Sequence, residues 1–106
     1  MRETTIEKYL VAQVEAHGGE VRKLKWVNRN SAPDRVVMLP AQRAAQTIDC
    51  AYCNPKGLSI WVELKAPGKE PTPAQKREHE RMRRVGQTVL VIDSLEGVDA
   101  LIARRF

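Results

Sequence analysis

The stretch from Leu58 to Lys65 constrains the fold more than any other part of this chain. Side chains on a strand alternate between faces, so in Trp61-Val62-Glu63-Leu64-Lys65 the apolar pair Val62 and Leu64 points one way. Trp61, Glu63 and Lys65 point the other way. Val62 and Leu64 can anchor the strand in a core, which holds a carboxylate and an ammonium on a rigid element rather than a loop. Upstream, Pro33-Asp34 precedes the apolar run Val36-Val37-Met38-Leu39, read as a second strand over Arg35–Leu39 that Pro40 closes. If the two strands pair, Asp34 lies beside Glu63.

Two carboxylates and a lysine at close quarters suit a hard cation. Mg²⁺ takes oxygen ligands, keeps several waters and is usually held by one or two carboxylates together with substrate phosphates. Such an ion lowers the pKa of its water and stabilises charge on a phosphate under attack. Lys65 would then position or deprotonate the attacking water. A bare Glu-x-Lys is more often a solvated surface pair, so the tripeptide acquires weight only from its surroundings.

Those surroundings are basic. The 106-residue chain carries a net charge of +5. From Glu20 to Arg35 the bases Arg22, Lys23, Lys25, Arg29 and Arg35 outnumber Glu20 and Asp34; from Lys65 to Arg84 the bases Lys65, Lys69, Lys76, Arg77, Arg81, Arg83 and Arg84 outnumber Glu70, Glu78 and Glu80. Carboxylates centred in a basic surround fit delivery of a polyanion to a metal, with Lys23, Lys25, Arg29, Arg35, Lys69, Lys76 and Arg77 as candidate DNA contacts; solubilising charge is the competing reading. The length allows one domain and one core. No apolar run approaches membrane-spanning length and Met1-Arg2-Glu3 opens no signal peptide, so the chain reads as intracellular.

Periodicity places the remaining elements. Ile6, Leu10 and Val14 recur at helical spacing between Thr4 and His17, with Gly18-Gly19 as the stop. Glu7 sits on the edge of that apolar face, either solvated or leaning toward the metal, and Glu3 lies one turn earlier. Val21–Val27 alternates as a strand. The segment at about 41–57 reads as an insert whose Ala41–Gln46 could make a helical turn and whose Asn54-Pro55-Lys56-Gly57 makes a turn. Its Cys50-x-x-Cys53 has zinc-ligand spacing, but a structural zinc takes four ligands and the chain has no second cysteine pair. Thr72-Pro73-Ala74-Gln75 opens a second helix as a capping box with Pro at the first position, and that helix runs to about Val85. Gln75 can serve the cap, or reach a metal-bound water or phosphate. Gln87–Ile92 reads as a strand buried on both faces, and Asp93-Ser94 opens a last helix with Leu95, Val98, Leu101 and Ile102 on one side. The order α-β-β-β-α-β-α wraps helices around a mixed sheet, an α/β domain.

Taken together, Glu7 on the first helix, Gly18-Gly19, Pro33-Asp34-Arg35, Glu63-Leu64-Lys65, Gln75 and the Val-rich strand before the last helix resemble the virus-type replication-repair nuclease (VRR-NUC) domain of the PD-(D/E)xK nuclease superfamily. The resemblance covers nearly the whole chain, residues 1–106, as a single domain. It implies a restriction-endonuclease-like mixed β-sheet flanked by helices. It also implies Mg²⁺ or Mn²⁺ on Asp34, Glu63 and the Leu64 carbonyl, Lys65 serving the attacking water, Glu7 holding metal or water, and Gln75 beside the site. Small stand-alone members are typically of phage or prophage origin, acting in the cytoplasm of a bacterial host, and resemble homodimeric resolvases that cut branched DNA such as four-way junctions. A two-fold dimer would present paired sites to such a substrate. Two departures stand out: Ser31 replaces the glycine usual two residues before the Pro-Asp, and the insert lengthens the stretch between Asp34 and Glu63. They keep open a non-catalytic DNA-binding or assembly module on the same fold, and a redox or zinc protein centred on Cys50 and Cys53.

Overall fold

The computed structural model describes residues 1–41 and 57–106. Cys50, Cys53 and most of the insert therefore lie outside the described residues, as do the readings attached to them. The elements follow the expected order: α1 (Glu3–Ala16), β1 (Glu20–Lys23), β2 (Arg35–Leu39), β3 (Leu58–Leu64), α2 (Pro73–Arg84), β4 (Val89–Ile92) and α3 (Leu95–Ile102). The sheet runs β1-β2-β3-β4 in space. Its first two pairings are antiparallel and β3–β4 is parallel, which makes the sheet mixed. Among the described residues no helix is long and apolar enough to cross a membrane.

One face of the sheet carries the apolar core. Ile6, Leu10 and Val14 of α1 and Val98 and Leu101 of α3 pack on Val37, Leu39, Ile60, Val62, Leu64 and Ile92. The inward-facing alternate residues of β2 and β3 are fully removed from water there, as the period-2 pattern requires. Tyr9 donates a 2.6 Å hydrogen bond to Asp99 and ties α1 to α3. α2 lies against the opposite face, over Glu63.

The turn after α1 fixes how β1 enters the sheet. Gly18 takes φ +81°, and the amides of Gly18 and Gly19 return to the carbonyls of Glu15 and Val14 in a Schellman pattern. Gly19 then passes so close to β2 that an added Cβ would stand 2.4 Å from the Met38 carbonyl and 2.8 Å from Val14 Cγ1. Gly19→Ala is expected to destabilise the fold by about 1–3 kcal/mol through overpacking, read as a lowered midpoint in chemical denaturation. An unchanged midpoint would show that the turn can shift without loss.

Two strands differ from expectation. β1 ends at Lys23 instead of continuing to Val27. The backbone explains it: Lys23 pairs with Arg35, and soon after that register Asn28 (φ +58°) and Ser31 (φ +70°) take left-handed conformations that cannot continue a strand on either side. The last ladder bond is Leu24 N–H to the Asp34 carbonyl, at 2.7 Å. β4 was expected to be buried on both faces, yet it is an edge strand, and Val91 is 38% exposed. α3 folds back over only one face, leaving Val91, the register partner of Glu63, open on the other.

Candidate active site

The β2–β3 register builds the site. Arg35 pairs with Val62, so one further step along the antiparallel strands sets Asp34 opposite Glu63. At the opposite end of the same hairpin Leu39 pairs with Leu58, and residues 40–57 join the strands there. β3 is held on its other side by β4, with Trp61 N–H donating to the Thr88 carbonyl and Lys65 N–H to the Ile92 carbonyl, both at 2.9 Å. Lys65 is thereby fixed immediately beyond the last residue of the strand.

Glu63 is the electrostatic centre. It is 8% exposed, and its Oε1 is buried without a hydrogen-bond partner among the described residues. Burial is the main cause that pushes its carboxyl from the usual 4.5 up to about 7; Asp34 and Glu3 push the same way, while Lys65 and Arg35 oppose. The carboxyl thus has acids and bases around it. Of the α1 acids, Glu3 adds to that upward push.

Glu7 is engaged elsewhere, at 2.9 Å from Arg35 Nη2, while Arg35 Nη1 lies 2.6 Å from Asp34 Oδ1. This corrects the reading of Arg35 as a DNA contact. Strand alternation turns it to the side of Val37 and Leu39, where it is 6% exposed and bridges two carboxylates. Lys23, Lys25, Lys69, Lys76 and Arg77 are exposed, as a polyanion surface would need. Arg29 is half-exposed and its Nε sits 3.1 Å from buried Glu78 of α2.

That ion pair pins the loop between β1 and β2. Trp26 stacks at a tilt on Trp61, ring centroids 5.4 Å apart, and its Nε1 donates to the Pro33 carbonyl at 2.6 Å. Ser31 adopts φ +70°, the left-handed conformation that glycine takes without steric cost. The departure from glycine at this position therefore leaves a glycine-like turn in place ahead of Pro33-Asp34.

α2 begins as expected. Thr72 Oγ1 accepts from Gln75 N–H at 3.1 Å, and Gln75 Oε1 accepts from Thr72 N–H at 2.9 Å. The side-chain oxygen of Gln75 is thus committed to the cap. Sequence reasoning missed Glu78 and His79, which α2 buries against the sheet. The signal was present: Ala74, Glu78 and Met82 recur at four-residue spacing on a helix otherwise rich in charge. His79 Nε2 lies 3.5 Å from Glu63 Oε1, and burial together with Arg83 and Lys65 lowers its pKa from the ordinary histidine value.

The donor set fits a hard divalent cation. Asp34 and Glu63 are opposed carboxylates, Glu63 has an orphaned buried oxygen, and positive charge placed between them would offset the burial, and the lesser repulsion, that raise Glu63. Among the described residues no three His, Cys, Asp or Glu side chains converge to hold a metal by themselves. Any ion held there would need backbone, water or phosphate oxygens to complete its shell.

The chain is 37% identical to a solved structure described as a VRR_NUC domain, superposing with a TM-score of 0.75 over 98% of this chain and 97% of that one. It is also 42% identical over 94 residues to "Putative nuclease p44" of Acyrthosiphon pisum secondary endosymbiont phage 1, spanning 89% of this chain and 85% of that protein. The chain belongs to the VRR-NUC family. No protein-family model matches it. Within this VRR-NUC domain the mixed sheet and its three helices stand in the order the family resemblance implies.

Proposed function

We propose that this VRR-NUC protein is a divalent-metal-dependent endonuclease that hydrolyses phosphodiester bonds in branched DNA. The observation that carries the reading is the opposition of Asp34 and Glu63 at the end of the hairpin, with the charge of Lys65 bearing on Glu63. The phage relative described as a nuclease supports it. Asp34, Glu63 and the Leu64 carbonyl would hold Mg²⁺ or Mn²⁺, with Glu3 or Glu7 acting from α1. The ion would supply charge stabilisation at the phosphate and a water of lowered pKa.

The chain's own residues do the rest. Lys65 orients the attacking water and offsets charge that grows on the phosphate as one P–O bond forms and another breaks. Exposed Lys23, Lys25, Lys69, Lys76 and Arg77 hold the backbone on either side, so affinity should fall steeply with salt, with a log–log slope of roughly −0.9 per phosphate neutralised. A homodimer would place two such sites on a four-way junction, one for each cut strand.

Cleavage of four-way junction, flap, single-stranded and linear duplex DNA, with Mg²⁺ or Mn²⁺ and with chelator, tests the proposal. Paired symmetric cuts in the junction that vanish with chelator are the expected result. Salt-sensitive binding with no cleavage of any substrate would overturn it in favour of a non-catalytic DNA-binding module.

A further inference from the structure

α2 presents a charged surface to solvent, yet its buried face sets His79 directly against the site. His79 is 1% exposed, and its Nε2 stands 3.5 Å from Glu63 Oε1. Neither atom has a hydrogen-bond partner among the described residues, although both are shut away from water. Orphaned buried polar atoms are rare because each loses its hydration without return. A position that served packing alone would take a leucine or methionine with no such loss. Two orphans facing one another, slightly beyond hydrogen-bond reach, mark a contact that a small rotation of either side chain completes.

We propose that His79 is a positioning residue: its Nε2–H donates to Glu63 Oε1 and aims the other carboxylate oxygen at the cation. The inference rests on the reading of Asp34 and Glu63 as metal-holding residues. Buried groups that orient a ligand carboxylate commonly govern metal affinity as strongly as they govern rate. His79 suits the task because the Thr72–Gln75 cap fixes the start of α2, and the Arg29–Glu78 pair clamps the helix beside it. Lys65 and Arg35 act on Glu63 as positive charges, as does Asp34 as a negative one; His79 is the group packed against the orphaned oxygen.

The test is Mn²⁺ binding by calorimetry to the whole chain without DNA, for the parent, His79→Leu, His79→Gln and Asp34→Asn, alongside thermal unfolding in chelator. His79→Leu is expected to weaken Mn²⁺ affinity roughly 10–100-fold without a matching loss of thermal stability, and His79→Gln, which keeps an N–H donor, to recover most of it. Parent-like affinity in His79→Leu, or equal losses in Leu and Gln, would overturn the role. If the Leu variant does not fold, the imidazole ¹⁵N spectrum of the parent with Mg²⁺ decides. A neutral ring protonated at Nε2 supports the contact, and an unprotonated Nε2 overturns it. A parent that binds Mn²⁺ no better than Asp34→Asn would bring down the metal reading itself, and the positioning role with it. Loss in Asp34→Asn with none in His79→Leu would remove the positioning role alone.

Discussion

Lys65→Ala is expected to lower the rate of DNA cleavage by roughly 10²–10⁴-fold, the range associated with losing a positioned proton-transfer or charge-stabilising group. Lys65 follows the last residue of β3, its amide is bonded to the Ile92 carbonyl at 2.9 Å, and its charge acts on both Glu63 and His79. The ammonium therefore lies near enough for its charge to bear on both groups. DNA affinity should fall only by about what one lost phosphate contact implies, because Lys23, Lys25, Lys69, Lys76 and Arg77 remain. Lys65→Arg should not restore the rate, since a planar guanidinium cannot place a compact charge at the same point. Single-turnover cleavage beside a binding isotherm separates the two effects. Undiminished turnover in the alanine variant would remove Lys65 from the chemistry.

Glu63→Gln should abolish metal-dependent cleavage and yet make the metal-free protein more stable above neutral pH. The folded-state carboxyl titrates near 7 against the usual 4.5, so between those values the folded protein keeps a proton that the unfolded chain releases. Its contribution to stability is full below about 4.5, declines as pH rises, and is lost above about 7. Allowing for partial solvent screening, the decline amounts to about 1–3 kcal/mol. The glutamine variant lacks this decline, so the difference in unfolding free energy between parent and variant should open across that window in chelator. Mg²⁺ or Mn²⁺ should restore the parent, through mass action on the folded state, and leave the variant unmoved. A glutamine variant less stable than the parent at pH 8 in chelator would show that Glu63 is not held against its own charge.

Much of this was legible because short-range rules and burial agree. The bounds of β2 and β3 follow from alternation closed by Pro40 and opened by a turn, and α2 from the Thr72-Pro73-Ala74-Gln75 cap. The opposition of Asp34 and Glu63 needed only the assumption that those strands pair. What escaped depends on three dimensions. Arg35 looked like one more surface base until strand parity placed it beneath α1 between Glu7 and Asp34. β1 was overextended because the left-handed turns at Asn28 and Ser31 that end its pairing lie beyond Val27 and leave its own side-chain alternation intact. β4 looked doubly buried because apolar content does not show how fully each face of a strand is covered by a packed helix. Glu78 and His79 were masked by charge: a polar stripe at helical spacing reads as solvent-facing until the fold is known to offer Arg29 of the β1–β2 loop and Glu63 of β3 as partners.

The β2–β3 hairpin separates distance along the chain from distance in space. Asp34 and Glu63 stand at one tip, and residues 40–57 join the strands at the other, five residue pairs away or ~17 Å at ordinary strand rise. Lengthening that junction leaves the two carboxylates opposed, and the entropic cost of closing a longer loop grows only with the logarithm of its length. The hairpin thus has a conserved-geometry end and a freely editable end. Residues can accumulate, change or acquire a separate role at the editable end while the chemistry stays in register. A search for such sites by fixed spacing between the Pro-Asp and Glu-x-Lys would overlook chains built this way, whereas strand parity would find them.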